Sequence, residues 1–415
     1  MTDLPTGSLP LTVGPGGERL WTRRFVLLLI SAVGMYLTTF MLTPTLPLYA
    51  EDLGGDAAAL GGLIVALYTL GALLPRLLWG RWADAWGRRR VYLIGVVIMT
   101  ILSPLYPVFA VLPAVFAVRL LQGVGFSAAS TAAATMAADL VPSSRRAEGI
   151  GYYALANTLG MALGPNLGLA LYQDAGARWL FAASAAAGLL ALAVGIAVNY
   201  ERTLRRRGRP ARSAEPPERS VAQPSARTPV VESSVLPVCV VFLFVVMPYG
   251  ATMALIAVYG LERGVEAIGA FFTVFAVALL VVRVGVGRLA DRFGATAAFV
   301  PSIVFMVAGL VVLGEADDLW VFLLSALLFG LGYGVAVPLL QSLVYRFAPP
   351  ARRGAASATF LATADIAYGG GALVLGLSAS LIGYAVSFVG LSVLLLVALV
   401  LYLALIRPRL QRRDA

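Results

Sequence analysis

The chain contains no histidine and no lysine, so all 31 of its basic residues are arginine. Without an imidazole, no side chain keeps its ordinary titration near neutral pH. Without lysine, Schiff-base chemistry and the cradle of a nucleotide-binding G-x-x-x-x-G-K-[ST] loop are both closed off. Proton coupling, if present, must use carboxylates. A single cysteine, Cys239, excludes an internal disulfide and any cysteine-rich metal site. Charge is also scarce, at 13% of 415 residues.

What fills the chain instead is apolar sequence. Hydrophobic residues make up 60% of it, and the mean hydropathy is +0.88. A helix crossing a bilayer needs about 20 apolar residues, and runs of that order recur at 24–49, 57–79, 91–111, 113–139, 147–173 and 177–200. A second series follows at 235–261, 265–286, 296–314, 319–346, 354–381 and 384–406. Uninterrupted runs of this length are unlike the roughly 10-residue alternation of a membrane β-barrel. The expectation is an all-α integral membrane protein with twelve transmembrane helices in two pseudo-symmetric six-helix bundles.

That symmetry is written in two short loops. Arg76 to Gly87 reads RLLWGRWADAWG, and 207 residues later Arg283 to Gly294 reads RVGVGRLADRFG. The same offset carries Gly123, Gly125, Pro142, Arg145 and Arg146 onto Gly330, Gly332, Pro349, Arg352 and Arg353. A register held through loops and their flanking helices marks a duplicated half-molecule. The expected organisation is a cytoplasmic tail over 1–23, bundles over 24–200 and 235–406, a linker over 201–234 and a second tail over 407–415. The apolar run from Phe25 is a full span without an early cleavage pattern, so it is not a signal peptide. Glu201 to Ser234 holds eight Arg and five Pro, a composition that cannot bury a core and that places arginines against anionic headgroups. With the N-terminus inside, 26 of the 31 arginines fall in cytoplasmic segments and only Arg178 and Arg263 outside. The positive-inside rule then sets both termini in the cytoplasm of a cell membrane. A net charge of +10 spread over loops is no footprint for nucleic acid. No nucleophile, base and acid cluster suggests an enzyme, and nothing calls for a metal or cofactor.

Within the spans the informative residues are the polar ones, because a charge at mid-helix costs roughly 2.5 to 3.5 kcal/mol on insertion scales. Arg119, Gln122, Gly123 and Phe126 share one face of the fourth span, which suits either a cavity wall or an arginine bonded to neighbouring carbonyls. Asp365 lies near the middle of the eleventh span and is the only carboxylate at that depth. It reads as a tunable proton carrier, or as a carboxylate fixed by an arginine. Asp139 and Glu148 sit near the cytoplasmic ends of the fourth and fifth spans. Arg76 and Arg283 are expected to extend their heads to the cytoplasmic interface. In the fifth span Gly160, Gly164 and Gly168 share a face suited to close helix packing, Pro165 removes a donor, and Gly151 lies on the other side.

Together these motifs resemble the major facilitator superfamily over essentially the whole length. The loop at Gly80, Asp84, Gly87 and Arg88 looks like the family's signature between spans two and three, and Gly287, Asp291 and Gly294 like its weaker copy. RLLQGVG at Arg119 to Gly125 is similar to the fourth-span motif whose arginine is implicated in proton transfer. The pattern Gly151, Gly160, Gly164, Pro165, Gly168 resembles that of drug-exporting antiporters, with Leu169 where a second glycine is usual. The resemblance implies alternating access by rocking bundles and proton-coupled efflux of a small amphipathic organic compound by a monomer. Coupling would fall to Asp365, Arg119 and Glu148, and the cavity to Tyr36, Thr39, Gln122, Phe126, Tyr249, Tyr333 and Gln341. An uptake symporter for a small nutrient, an exporter of a metal-chelating metabolite and a non-transporting sensor are the rival readings. The resemblance also implies a cytoplasmic latch, with Asp84 meeting the start of span eleven near Gly354 and Ala355. Asp291 would meet the start of span five near Ala147 and Glu148.

Overall fold

The computed structural model describes residues 20–142, 145–198, 232–283, 294–349 and 352–414. Helices carry nearly all of it, with no strand among the described residues. In the first half α1 spans Arg23–Leu42, α2 Leu46–Asp52, α3 Ala57–Leu73, α4 Arg76–Trp86 and α5 Arg88–Leu102. There follow α6 at Leu105–Val108, α7 at Leu112–Leu140, α8 at Arg146–Ala175 and α9 at Ala177–Ala197. The second half has α10 at Leu236–Glu262, α11 at Gly269–Arg283, α12 at Ala295–Gly314, α13 at Leu319–Phe347, α14 at Arg353–Ile382 and α15 at Tyr384–Leu401. A π-helical turn over Tyr402–Ile406 leads into α16 at Arg407–Asp414.

Each expected span falls on one helix or on two in line. The divisions come at Pro44, Pro75 and Pro104, where a missing N–H and the clash with the preceding residue stop an α-helix. Asp56 and Asp318 start α3 and α13 by accepting hydrogen bonds from main-chain N–H groups at 2.8 to 3.0 Å. Nine helical segments among the described residues are long and apolar enough to cross a membrane, and Ala57–Leu73 and Glu266–Val282 are apolar but shorter. The protein is thus an all-α membrane fold.

The 207-residue offset is also visible in the backbone. Helices α7 and α13, and α8 and α14, begin and end at residues 207 apart. Gly87 and Gly294 open equivalent helices at φ 101° and 85°, and Gly176 and Gly383 do so at 88° and 82°. A side chain is strained at such values, which is why glycine occupies both copies of each turn.

The structure adds detail at two of the chain's edges. Glu232 to Ser234 belong to the packed second half rather than the linker: the Glu232 main-chain N–H donates to Thr359 at 3.1 Å, and Arg352 donates to its carboxylate at 3.4 Å. Residues 407–414 are helical, running on from α15 through the π-helical turn, where the Arg407 N–H bonds to the Tyr402 carbonyl just before Pro408.

The halves meet along two equivalent seams, α3 against α14 and α11 against α8. At the end of the molecule remote from the linker attachments, here the far end, these seams are tight. A Cβ on Gly62 would collide with the Ala372 carbonyl, and one on Gly376 with the Ala58 carbonyl. Asn166 donates to the Thr273 hydroxyl at 2.8 Å. Among the described residues, a Cβ on Gly80, Gly151 or Gly354 at the opposite, near end would meet no atom of another helix within 4 Å. The close glycine contacts between the halves lie towards the far end.

Candidate functional site

At mid-height, between the halves, lies a cavity of about 210 Å³. Helices α1, α3, α7 and α8 supply Thr39, Thr43, Tyr68, Thr69, Arg119, Phe126 and Asn157. Helices α10, α13 and α14 supply Phe242, Tyr249, Tyr333, Asp365 and Tyr368. A larger space of about 1040 Å³ lies at the near end of the second half, lined by Thr296, Ser342, Arg346 and Arg407. It holds none of the mid-span polar groups, so the smaller cavity is the candidate site.

The chemistry of its wall centres on two arginines and one carboxylate. Arg76 Nε donates to Asp365 Oδ2 at 2.8 Å and Arg76 Nη2 to Oδ1 at 3.0 Å, a fork-to-fork pair. Their side chains are 17% and 18% exposed. The expectation that Arg76 reaches the cytoplasmic interface is corrected. Pro75 separates α3 from α4 just before it, and a carboxylate across the seam is a better partner than distant headgroup water. Asp365, on α14, is thus paired with an arginine of the other half in this structure.

Arg119 is 1% exposed and, among the described residues, is held by neutral groups. Its Nη1 donates to Gln122 Oε1 at 3.3 Å and its Nη2 to Thr43 Oγ1 at 3.4 Å, while Nε is buried with no acceptor. The guanidinium carbon sits 4.5 Å from the centre of the Tyr68 ring, a cation–π contact of about 0.5 to 2 kcal/mol. Opposite, Tyr249 and Tyr333 stack at 4.2 Å with planes 22° apart, and Tyr368 meets Tyr249 edge-on at 5.6 Å.

Of the expected residues, the structure brings Thr39, Phe126, Arg119, Tyr249, Tyr333 and Asp365 together around this cavity. Gln122 lies behind Arg119, accepting from the Tyr106 hydroxyl at 2.7 Å and donating to Ser103 at 3.3 Å. Tyr36 is one layer back, hydroxyl to hydroxyl with Tyr153 at 3.1 Å. Gln341 is exposed and outside the lining. Glu148 sits at the near end bonded to Arg145 at 2.8 Å, and Asp139 forms an ion pair with the loop residue Arg88. Gly160, Gly164 and Gly168 face Tyr36, Phe40 and Met41 of α1, leaving no room for a Cβ, with Pro165 inside α8. Gly287 and Asp291 lie outside the described residues, as does the side chain of Asp84.

Sequence reasoning missed Arg76 as a site residue, and with it Tyr68, Asn157 and Tyr368. Two of these carried a signal: Tyr368 lies one helical turn from Asp365, and Asn157 is an amide in mid-span. Tyr68 offered none, because tyrosine on an apolar helix is ordinary.

The comparisons agree with this geometry. The family model described as Major Facilitator Superfamily matches residues 28–314 and 238–415. An uncharacterized MFS-type transporter of Salmonella typhimurium is 27% identical over 342 residues, 80% of this chain and 84% of that protein. Quinolone resistance protein NorA of Staphylococcus aureus is 25% identical over 167 residues, 40% of this chain and 42% of that one. The inward-open xylose transporter XylE of E. coli shares the fold at a TM-score of 0.71 and 19% identity, over 91% of this chain and 95% of that one. With a duplicated helical half, a polar cavity on the seam between the copies and a family match along nearly its whole length, the chain is a membrane transporter of the major facilitator superfamily.

Proposed function

We propose that the protein exports a small amphipathic organic compound in exchange for protons, by alternating access of a twelve-span monomer whose termini lie in the cytoplasm. Bundles over 24–200 and 235–406 then rock about the cavity, and the far end is external. On this reading the far-end contacts between the halves are those of an inward-facing state.

The observation that carries this reading is the Arg76–Asp365 pair. It joins one half to the other at the cavity wall, and in a chain without histidine its carboxylate is the group able to take a proton there. Ionised Asp365 holds α4 to α14. A proton from outside neutralises it, removes one member of the pair and frees the seam, and its release inside restores the pair while the cavity is open to cytoplasmic substrate. Arg119 forms the other pole of the cavity. The similarity to a protein named for quinolone resistance and the α8 glycine face support export over uptake.

The test is substrate-driven proton movement in everted vesicles. Asp365→Asn removes it while leaving expression near normal; intact coupling in that variant would overturn the assignment.

A further inference from the structure

Resting on the transporter reading above, we infer that the substrate is a small aromatic monoanion, a carboxylate on a ring, seated by Arg119. The argument is a charge inventory. Among the described residues lining the cavity or paired with its wall, two are cationic, Arg76 and Arg119, and one is anionic, Asp365. Asp365 has both oxygens engaged by Arg76, so it is not a free anchor for an organic cation. The Arg119 guanidinium is 1% exposed and has no carboxylate partner among the described residues. A buried cation is stable only when its donors are satisfied and its charge opposed, and here one elementary charge remains unopposed.

The donors of Arg119 specify the group it takes. Arg76 binds Asp365 through the edge of its fork formed by Nε and Nη2. On Arg119, Nη2 meets only a hydroxyl at 3.4 Å, at the long limit of a hydrogen bond, and Nε is enclosed without an acceptor. A carboxylate entering the cavity is the acceptor that opposes this guanidinium and satisfies its weakly used donors. A second negative charge on the ligand would face Asp365 instead of a free cation, which selects a monoanion.

The rest of the wall specifies what the carboxylate is attached to. Tyr68 and Phe126 stand beside Arg119 with ring centres 5.6 Å apart. Tyr249, Tyr333 and Tyr368 close the opposite side, so a flat ring meets offset and edge-on partners on both sides. The volume of about 210 Å³ lies below the roughly 300 to 1,000 Å³ of pockets for drug-sized ligands. One ring with a short acidic substituent fits the inventory.

The experiment uses the full chain in lipid nanodiscs and measures calorimetric binding of three probes of equal size: benzoate, benzamide and benzylammonium. Benzoate is expected to bind about tenfold or more tightly than benzamide, a difference of about 1.4 kcal/mol, with benzylammonium weakest. Arg119→Gln brings benzoate down to the level of benzamide, and Arg119→Lys retains part of the preference. Equal binding of benzoate and benzamide, preference for benzylammonium, or unchanged benzoate affinity in Arg119→Gln overturns the inference. Should that variant not fold, the ranking on the unaltered protein decides alone. Because binding requires no proton gradient, failure of proton exchange in vesicles and failure of anion preference in nanodiscs are separate results.

Discussion

Arg76 and Asp365, 289 residues apart in the chain, meet through two hydrogen bonds of 2.8 and 3.0 Å across the seam between the duplicated halves. The duplication does not supply this pair twice. At the offset of 207 the residue equivalent to Asp365 is Thr158, whose hydroxyl donates to the Ala154 carbonyl of its own helix at 3.1 Å. One seam therefore carries a carboxylate and the other a hydroxyl at the same place. An asymmetric charge on a symmetric scaffold lets one protonation event bias the whole rocking motion.

The pair makes its two members energetically dependent. Arg76→Gln and Asp365→Asn each lower the unfolding midpoint in detergent, because each leaves a partly buried charge unopposed. The double variant recovers much of the loss, with a coupling of about 0.5 to 3 kcal/mol. Additive losses in a double-mutant cycle would show that the pair contributes no interaction of its own.

The far-end seam depends on absent side chains. Gly376 lies against the Ala58 carbonyl and Gly62, so Gly376→Val forces α3 and α14 apart there and shifts the population towards far-end-open. Gly390, with open space around it, tolerates the same change. Spin-label distances across the far end test this. An unaltered distribution for Gly376→Val would mean that the seam adapts.

Much of this architecture was legible in the sequence. The duplicated loops and long apolar runs gave the halves, and the cost of charge in a bilayer singled out Arg119 and Asp365. The pairing of Asp365 with Arg76 was not legible, since it is a tertiary meeting of two half-molecules and an arginine four residues before a loop glycine is as readily an interfacial one. Helical phase explains other differences. Gln341 follows Tyr333 by eight residues, which turns it about 80° away at about 100° per residue, and Pro338 intervenes. Gln122 is rotated about 60° from Arg119, far enough to serve Tyr106 instead of the cavity.

The loop carboxylates give an ordered expectation for the near end when it closes. A carboxylate at a helix N-terminus is worth about 0.3 to 1 kcal/mol when exposed and up to about 2 when partly buried. The first turn of α14 holds no acid, whereas that of α8 already holds Glu148, which offsets part of the attraction for Asp291. Asp84→Asn is expected to shift the population towards near-end-open more than Asp291→Asn does. Spin labels on the near ends of α4 and α14 read the difference, and an equal or larger effect from Asp291→Asn would refute the asymmetry.

At the start of the second half, the neighbouring Ser234, whose main-chain N–H donates at 3.2 Å, and then Arg352 hold the Glu232 carboxyl below its ordinary value of 4.5. A depressed carboxylate pKa contributes stability that is present above the unfolded value and is lost as pH falls through the folded one. The unfolding midpoint is expected to fall below pH 4.5, and Glu232→Gln to flatten that part of the profile. A profile identical to that of the unaltered protein would remove Glu232 from the account.

The central claim is that protons and substrate are exchanged through Asp365, and proton flux in everted vesicles measures it most directly. Vesicles carrying the protein are acidified inside, and a pH-sensitive dye follows proton release as each of a panel of small organic compounds is added, with vesicles lacking the protein as the baseline. The account predicts release above that baseline for the transported compound and its loss in Asp365→Asn at equal protein level. Equal release from Asp365→Asn would contradict it.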